Sequence, residues 1–235
     1  ITRIRAYAFY NCSGADGYLN ILDKLEAIEK FAFYNCTKLK GINFDPNSQI
    51  INIDNSCFAN CFELRKLNLP DCMMRIGESA FENCTGLTGP LIIPKSIKTI
   101  ESNTFRNCKS LDGTLTIQDS VTSIDSYAFY NCQNFNGKIE IPASVEQIGD
   151  YSFSGCSKIT EISLGQNVKS IGSYAFDNCN SLGGSLEIPD SVLNIGDHSF
   201  NNLQFTKLIL GKGIESIGSY AFSNCKKISC DLTLP

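Results

Sequence analysis

A phenylalanine returns every 22 to 25 residues along the whole 235-residue chain, and this repeat constrains the fold more than any other feature. A cysteine stands three residues after nine of the ten phenylalanines, and the position before it is asparagine or glycine in all ten repeats. A unit of this length cannot bury its apolar residues alone, so the sequence predicts coils that stack on one another as a solenoid. The anchors are Phe9, Phe33, Phe58, Phe81, Phe105, Phe129, Phe153, Phe176, Phe200 and Phe222.

Each repeat contains two extended segments and one tight turn. Apolar and polar residues alternate over Leu186–Ile188, which predicts a short strand with one buried face. In Val168–Ile171 the apolar residues lie three apart, so a strand or an extended corner would both fit. The stretch Ala175–Cys179 is too short for a full α-helix and is predicted as one helical or 3₁₀ turn. The predicted fold is a mostly β, right-handed solenoid of parallel short strands with one such turn per coil.

Three positions in the repeat carry a packing or backbone signal. Only small residues precede the phenylalanine, which predicts a tight contact between coils there. Asparagine and glycine tolerate a positive φ, so the position before the cysteine is predicted to be left-handed. We expect its amide to bond to backbone groups of the next coil. A glycine five residues after the cysteine predicts an optional β-bulge, at Gly17, Gly89, Gly113, Gly137 and Gly184.

Composition gives no sign of nucleic-acid binding, membrane insertion or catalysis. The formal net charge is -4 and no basic run is present, whereas nucleic-acid binding needs a basic face. No apolar stretch approaches the ~20 residues that span a bilayer. No phosphate-binding or dinucleotide-binding glycine loop is present, so we expect no enzyme activity, no catalytic residues and no cofactor.

The cysteines form a column along the predicted solenoid axis. Zinc sites use close pairs that converge on one point, and in-register side chains keep Cβ atoms farther apart than a disulfide allows, so we expect neither metal sites nor disulfides. The preferred interpretation is a small buried side chain, because Leu203 fills the same position in the ninth repeat. Off the column, Cys57 takes the small position, Cys230 the glycine position, and Cys72 is expected to be the most exposed thiol. The column comprises Cys12, Cys36, Cys61, Cys84, Cys108, Cys132, Cys156, Cys179 and Cys225.

Glycosylation sequons begin at Asn11, Asn35 and Asn83, but each asparagine also fills the turn position of its repeat. Structure explains all the turn asparagines, whereas glycosylation would explain three of them.

An aromatic column is the best candidate for a binding surface. Two residues before the phenylalanine, repeats six to ten carry a ring, repeats one and two carry Tyr7 and Phe31, and repeats three to five carry Ser56, Ser79 and Asn103. These rings either stack on one another to cover the coil edge or anchor a protein partner. The candidate site, called the tyrosine column below, comprises Tyr127, Tyr151, Tyr174, His198 and Tyr220.

The repeat resembles the BspA-like leucine-rich-repeat family, also known as the Treponema pallidum type of repeat. The matching residues are the Ser-Val-x-x-Ile-Gly-x-Tyr-Ala-Phe-x-x-Cys core, as in Ser191–Phe200 and Gly218–Cys225, and the Leu-x-Ile-Pro strand. The resemblance extends over nearly the whole chain and departs from the pattern in the first three repeats, where residues 45–50 carry two extra residues.

This resemblance implies a leucine-rich-repeat solenoid located at a cell surface or outside the cell. It implies adhesion to a host protein, an extracellular-matrix protein or another cell-surface protein. The alternative is a structural spacer that presents another domain. We expect residues 1–235 to be one solenoid domain of ten repeats, cut from a longer protein.

The first prediction is that the column cysteines are reduced in the folded protein. Leu203 in the column and the parallel side-chain direction both argue against crosslinks. Alkylation under denaturing, non-reducing conditions, followed by mass measurement, should label all of them. Several column cysteines blocked as disulfides would contradict the prediction.

Overall fold

One series of short strands marks a corner of every coil in the computed structural model, which describes residues 1–229 and 232–234. These strands pair in parallel with the next coil, as Ser123 does with Gln147 and Ile124 with Ile148. They form a four-stranded and a six-stranded sheet. The series is β1 (Arg3–Ile4), β3 (Ala27–Ile28), β5 (Asn52–Ile53), β6 (Arg75–Ile76), β8 (Thr99–Ile100), β10 (Ser123–Ile124), β12 (Gln147–Ile148), β14 (Ser170–Ile171), β16 (Asn194–Ile195) and β18 (Ser216–Ile217).

A second series of strands forms another face of the coils. It pairs in parallel, two strands at a time, and in the third repeat it is reduced to a bridge between Gly41 and Lys66. Both extended segments of the repeat are therefore strands. The second series is β2 (Gly17–Ile21), β4 (Leu39–Phe44), β7 (Leu91–Ile92), β9 (Leu115–Thr116), β11 (Gly137–Glu140), β13 (Ile159–Ser163), β15 (Gly183–Glu187) and β17 (Gln204–Ile209).

The predicted solenoid of parallel strands is confirmed, but the helical or 3₁₀ turn at Ala175–Cys179 is wrong. Within residues 1–229 and 232–234 no helix is present. Consecutive β-turns replace it: Asp177 N–H donates to the Tyr174 carbonyl at 3.1 Å, while Phe176 N–H donates to Ser199 of the next coil at 2.8 Å. A helix directs every N–H along its own axis. A stacked coil needs every second N–H for its neighbour, which excludes the helix.

The phenylalanine column fills the centre of the solenoid. From Phe9 to Phe222 neighbouring rings stack nearly parallel, with centroids 4.9 to 5.7 Å apart. The small position before each phenylalanine is fully buried at Thr104, Ser152 and Ser199, which confirms the predicted tight contact between coils. The space there excludes larger side chains.

The predicted glycine bulges are confirmed in three repeats. The strand register shifts at Gly17, Gly137 and Gly184, each of which has a positive φ. At Gly113 a glycine is needed for close packing of the chain instead, because a Cβ there would lie 2.7 Å from the Pro90 nitrogen. Cys230, predicted at this position of the last repeat, lies outside the described residues.

The buried phenylalanines should dominate stability. Phe153 is fully buried between the rings of two neighbouring coils, so Phe153→Ala should lower the free energy of unfolding by ~3–5 kcal/mol. Glu140 is exposed and forms only a surface ion pair with Lys138, so Glu140→Ala should change it by about 0.5 kcal/mol or less. Chemical denaturation of both variants measures the difference. Equal losses would refute the assignment of inward and outward positions.

Candidate functional site

Each turn segment runs from four residues before the repeat phenylalanine to two residues after it, as in Asp125–Asn131. Two of its seven residues have a left-handed backbone. At the second, the φ is 57 to 62° in the nine asparagines and 78° in Gly155, as predicted. At the first, which is the tyrosine-column position, φ is 52 to 61° in all ten repeats, and the sequence analysis missed this. The sequence signals were Asn103 and His198, which share that position and belong to residue types enriched at positive φ.

A left-handed backbone is unusual for tyrosine, because its Cβ crowds the carbonyl oxygen at a cost of roughly 1–2 kcal/mol. The surroundings offset this cost. The N–H of Tyr174 donates to the Asp197 carbonyl of the next coil at 2.7 Å, and the N–H of Tyr151 donates to Ser173 at 2.9 Å. The backbone of each of these tyrosines is therefore held in place by a hydrogen bond to the next coil.

The five rings of the tyrosine column form one uninterrupted stack. Centroids are 4.8 Å apart from Tyr127 to Tyr151, 4.6 Å from there to Tyr174, 4.6 Å to His198 and 4.9 Å to Tyr220. Interplanar angles are 5 to 8° for the first three pairs and 20° for the last. Stacking, the first of the two sequence interpretations, is thus present. It leaves ring edges and polar tips for a partner, because neighbours cover the faces.

The column is continuous only in the second half of the chain. Tyr7 and Phe31 stack at 5.2 Å in the first two repeats, and three repeats without rings follow. The guanidinium of Arg106 then lies over Tyr127 and Tyr130, at 5.4 and 5.5 Å from the ring centroids, and covers the first ring of the stack. At the other end of the column, Tyr220 contacts His198 as the last of the five rings.

The outward residues of the second strand series form a different surface. Ile92 and Ile209 are exposed there but stand in distant coils, and Asn43 donates its amide to Asn20 at 2.9 Å. No described position of this row carries an aromatic residue. The row comprises Asn20, Asn43, Asn68, Ile92, Thr116, Glu140, Ser163, Glu187, Ile209 and Thr233, mostly exposed.

The turn asparagines form side-chain ladders. Amide nitrogens donate to the amide oxygen of the preceding coil, at 2.9 Å from Asn35 to Asn11 and at 2.8 Å from Asn83 to Asn60. The ladder continues from Asn83 through Asn107 to Asn131. We expected these side chains to bond to backbone groups, but in these coils they bond to the side-chain amide of the neighbouring asparagine. All three sequon asparagines belong to these ladders.

The cysteine column has a chemical role that the sequence analysis missed. Eight of its thiols donate to the carbonyl oxygen of the preceding coil's phenylalanine, with Sγ–O distances of 3.1 to 3.3 Å. Burial raises the pKa of the Cys36 thiol to about 11 and that of Cys156 to about 12, so both remain protonated donors at neutral pH. Leucine at position 203 fills the space but lacks the donor.

The expectation for Cys72 is wrong. Its thiol is half-buried and lies 3.1 Å from the Ser48 carbonyl, whereas Cys12 is the exposed thiol among the described cysteines, all of which are free.

The structure also locates the side chains that catalysis or metal binding would use. His198 lies within the ring stack, and the neighbouring Asp197 accepts the N–H of Ser219 at 2.6 Å. Residues 1–229 and 232–234 contain no cluster of three or more metal-binding side chains. The same residues contain no helix with the length and apolarity to cross a membrane.

The repeats identify the family. A family model of the BspA type leucine rich repeat region matches residues 2–136, 88–202 and 184–234 in six copies. The chain therefore belongs to the BspA-type leucine-rich-repeat family. No protein with curated annotation matches the chain.

Solved structures show the same fold. A leucine rich cell surface protein from Faecalibacterium prausnitzii is 26% identical with a TM-score of 0.68, and the match covers 97% of this chain and 69% of that protein. A leucine-rich repeat protein from Bacteroides ovatus is 24% identical with a TM-score of 0.72, and this chain spans 63% of its length. The T. pallidum leucine rich repeat protein is 22% identical with a TM-score of 0.54, over 92% of this chain and 85% of that one.

The left-handed backbone at the tyrosine column predicts a difference between two substitutions that both remove a ring. Tyr174→Asn should keep more stability than Tyr174→Ala, by ~1 kcal/mol, because asparagine tolerates this backbone and alanine does not. Both variants lose the same stacking with Tyr151 and His198. Urea denaturation monitored by circular dichroism gives the comparison. Identical midpoints would show that the backbone does not determine this position.

Proposed function

We propose that this chain is a non-enzymatic protein-binding module that acts in adhesion at a cell surface. The partner is a host protein, an extracellular-matrix protein or another cell-surface protein. Membership of the BspA-type family and the likeness to a cell surface protein from Faecalibacterium prausnitzii support this assignment. Proteins of this repeat fold are typically non-catalytic, which is consistent with a binding role.

The tyrosine column is the observation that carries the proposal. Large rigid rings make effective binding anchors, because they bury area at little entropic cost. Here stacking and the fixed backbone already order the rings, so binding would cost little further side-chain entropy. The strand face has no comparable group of rings. We therefore place partner contact on Tyr127, Tyr151, Tyr174, His198 and Tyr220, although leucine-rich repeats often bind through their strands.

A structural spacer is the second candidate function. The ring faces within the column are already used by neighbouring rings, so stacking alone accounts for a stabilising role. A spacer would tolerate loss of the column with no loss of any partner.

Two multiple variants distinguish these functions on a partner identified from extracellular-matrix and host-cell proteins. The first changes Tyr127, Tyr151 and Tyr174 to serine, which the fold accepts at this position in Ser56 and Ser79. It should weaken binding at least tenfold, because hot-spot rings contribute about 2 kcal/mol or more each. The matched control changes Thr116, Glu140 and Glu187 to alanine and should retain affinity.

Binding is measured by surface plasmon resonance after circular dichroism has shown that both variants fold. Loss of affinity in the strand-face control, with full affinity in the serine variant, would show that the column serves only to stabilise the coil edge.

A further inference from the structure

The turn segments of repeats six to ten contain four aspartates and no lysine or arginine; their one histidine is His198. In segments 125–131, 149–155, 172–178, 196–202 and 218–224 the charged residues are Asp125, Asp150, Asp177 and Asp197. These segments also carry the tyrosine column. Within the described residues none of the four aspartates forms an ion pair, since every ion pair of the structure involves other acids.

The first five repeats provide an internal comparison. Their turn segments contain five acids, four of which pair with arginine: Glu29 with Arg5, Asp54 and Glu101 with Arg75, and Glu82 with Arg106. The half of the solenoid with the interrupted ring column is thus neutralised by its own arginines. The half with the continuous column keeps its negative charge.

The carboxylates beside the column are held in place by the coil structure. Asp150 accepts the N–H of Ser173 at 2.7 Å through Oδ1, and Asp197 accepts the N–H of Ser219 at 2.6 Å through the same atom. Asp177 accepts amide donors from Asn178 and Asn201. These neutral donors fix the carboxylates without cancelling their charge. Desolvation, the neighbouring tyrosines and the charges of Asp177 and Asp150 raise the pKa of Tyr151, which places these carboxylates within electrostatic reach of the ring.

One cation of the chain itself contacts the end of this surface. Arg106 belongs to the last repeat before the continuous column, and its guanidinium lies over the rings of Tyr127 and Tyr130. Guanidinium and ammonium groups are attracted to aromatic faces, and their apolar stems can pack along apolar surface while the charged group stays in water. Beyond Tyr127 the turn segments supply no lysine or arginine, although rings continue for four more coils and carboxylates for three of them.

We propose that the tyrosine column and its flanking aspartates bind an extended, lysine- or arginine-rich segment of a partner protein. This inference rests on the proposed function and specifies the chemistry of the partner. The stack measures about 19 Å from the first centroid to the last. An extended segment of about six residues spans that length. Lysine or arginine side chains reach the aspartates, while their stems cover the ring edges.

The test uses a fluorescent octapeptide of alternating lysine and serine, with a glutamate–serine octapeptide as the matched probe. Fluorescence anisotropy at about 0.02 M and about 0.3 M salt should show binding of the lysine peptide only, weakened by salt. Asp150→Asn, Asp177→Asn and Asp197→Asn together should lower its affinity about tenfold, from three lost surface charges. Asparagine retains the Oδ1 acceptor, so the hydrogen bonds to Ser173 and Ser219 are preserved.

A strand-face variant controls for general electrostatics. It changes Glu140, Glu161 and Glu187 to glutamine, which removes the same number of charges from an overlapping set of coils, and it should bind the peptide within about twofold of the wild type. A second column variant, Ser126→Lys with Ser173→Lys, leaves every aspartate in place and should also weaken binding. It tests the charge without altering the aspartate hydrogen bonds.

Equal losses in the aspartate and strand-face variants would overturn the inference, because they would show general attraction to an acidic protein. Unchanged affinity in both column variants would overturn it as well. Suppose the tyrosine-to-serine variant loses the verified protein partner while the aspartate variant keeps that partner and the peptide. The proposed function would then stand, and the cationic partner would be refuted.

Discussion

Hydrogen bonding between coils is the constraint on which the rest of this structure depends. Every second N–H of a turn segment donates to the next coil, as Phe176 does to Ser199 and Tyr174 does to Asp197. The chain can direct donors alternately along its own turn and toward its neighbour only if two residues of the turn adopt a left-handed backbone. Side chains at equivalent positions then stand directly above one another, about one strand spacing apart. Rows of phenylalanine, cysteine, asparagine and tyrosine are the consequence.

Much of this architecture can be predicted from the sequence, because the residue types found at one position of ten repeats indicate the environment of that position. Phenylalanine marks the core, and asparagine marks one left-handed residue, since its short polar side chain tolerates that backbone. The helical turn was misread because five residues do not reveal where their N–H groups point. The left-handed tyrosines were missed for a related reason: Tyr174 carries no backbone signal, and only Asn103 and His198 in the same row give one. The sequence did not reveal the thiol hydrogen bonds, because a buried apolar role already accounts for the cysteine row. Leu203 in that row supports the apolar role and gives no sign of a donor.

The candidate site could be predicted from the sequence only in part. Periodicity located the column, and the structure shows its rings in contact, yet the binding proposed for it would depend on groups outside the row. Aspartate alternates with serine beside the column, at Asp150, Ser173, Asp197 and Ser219. Within this row the alternation keeps like charges two coils apart, which limits their repulsion, and Asp177 of the coil between them stands in a different row. It also gives each of these aspartates a serine N–H in the following coil. Neutral N–H donors therefore hold these carboxylates in place and leave their negative charge uncancelled.

A column assembled one ring per coil has a length set by the number of repeats. Each coil contacts chiefly its neighbours, so gain or loss of one repeat by gene duplication or deletion leaves the remaining coils intact. Such an event would change the row by one ring, about 4.7 Å, without altering the geometry of any other position. Evolution can therefore adjust the reach of this surface in whole-coil steps, independently of its chemistry, which point substitutions in single rows control.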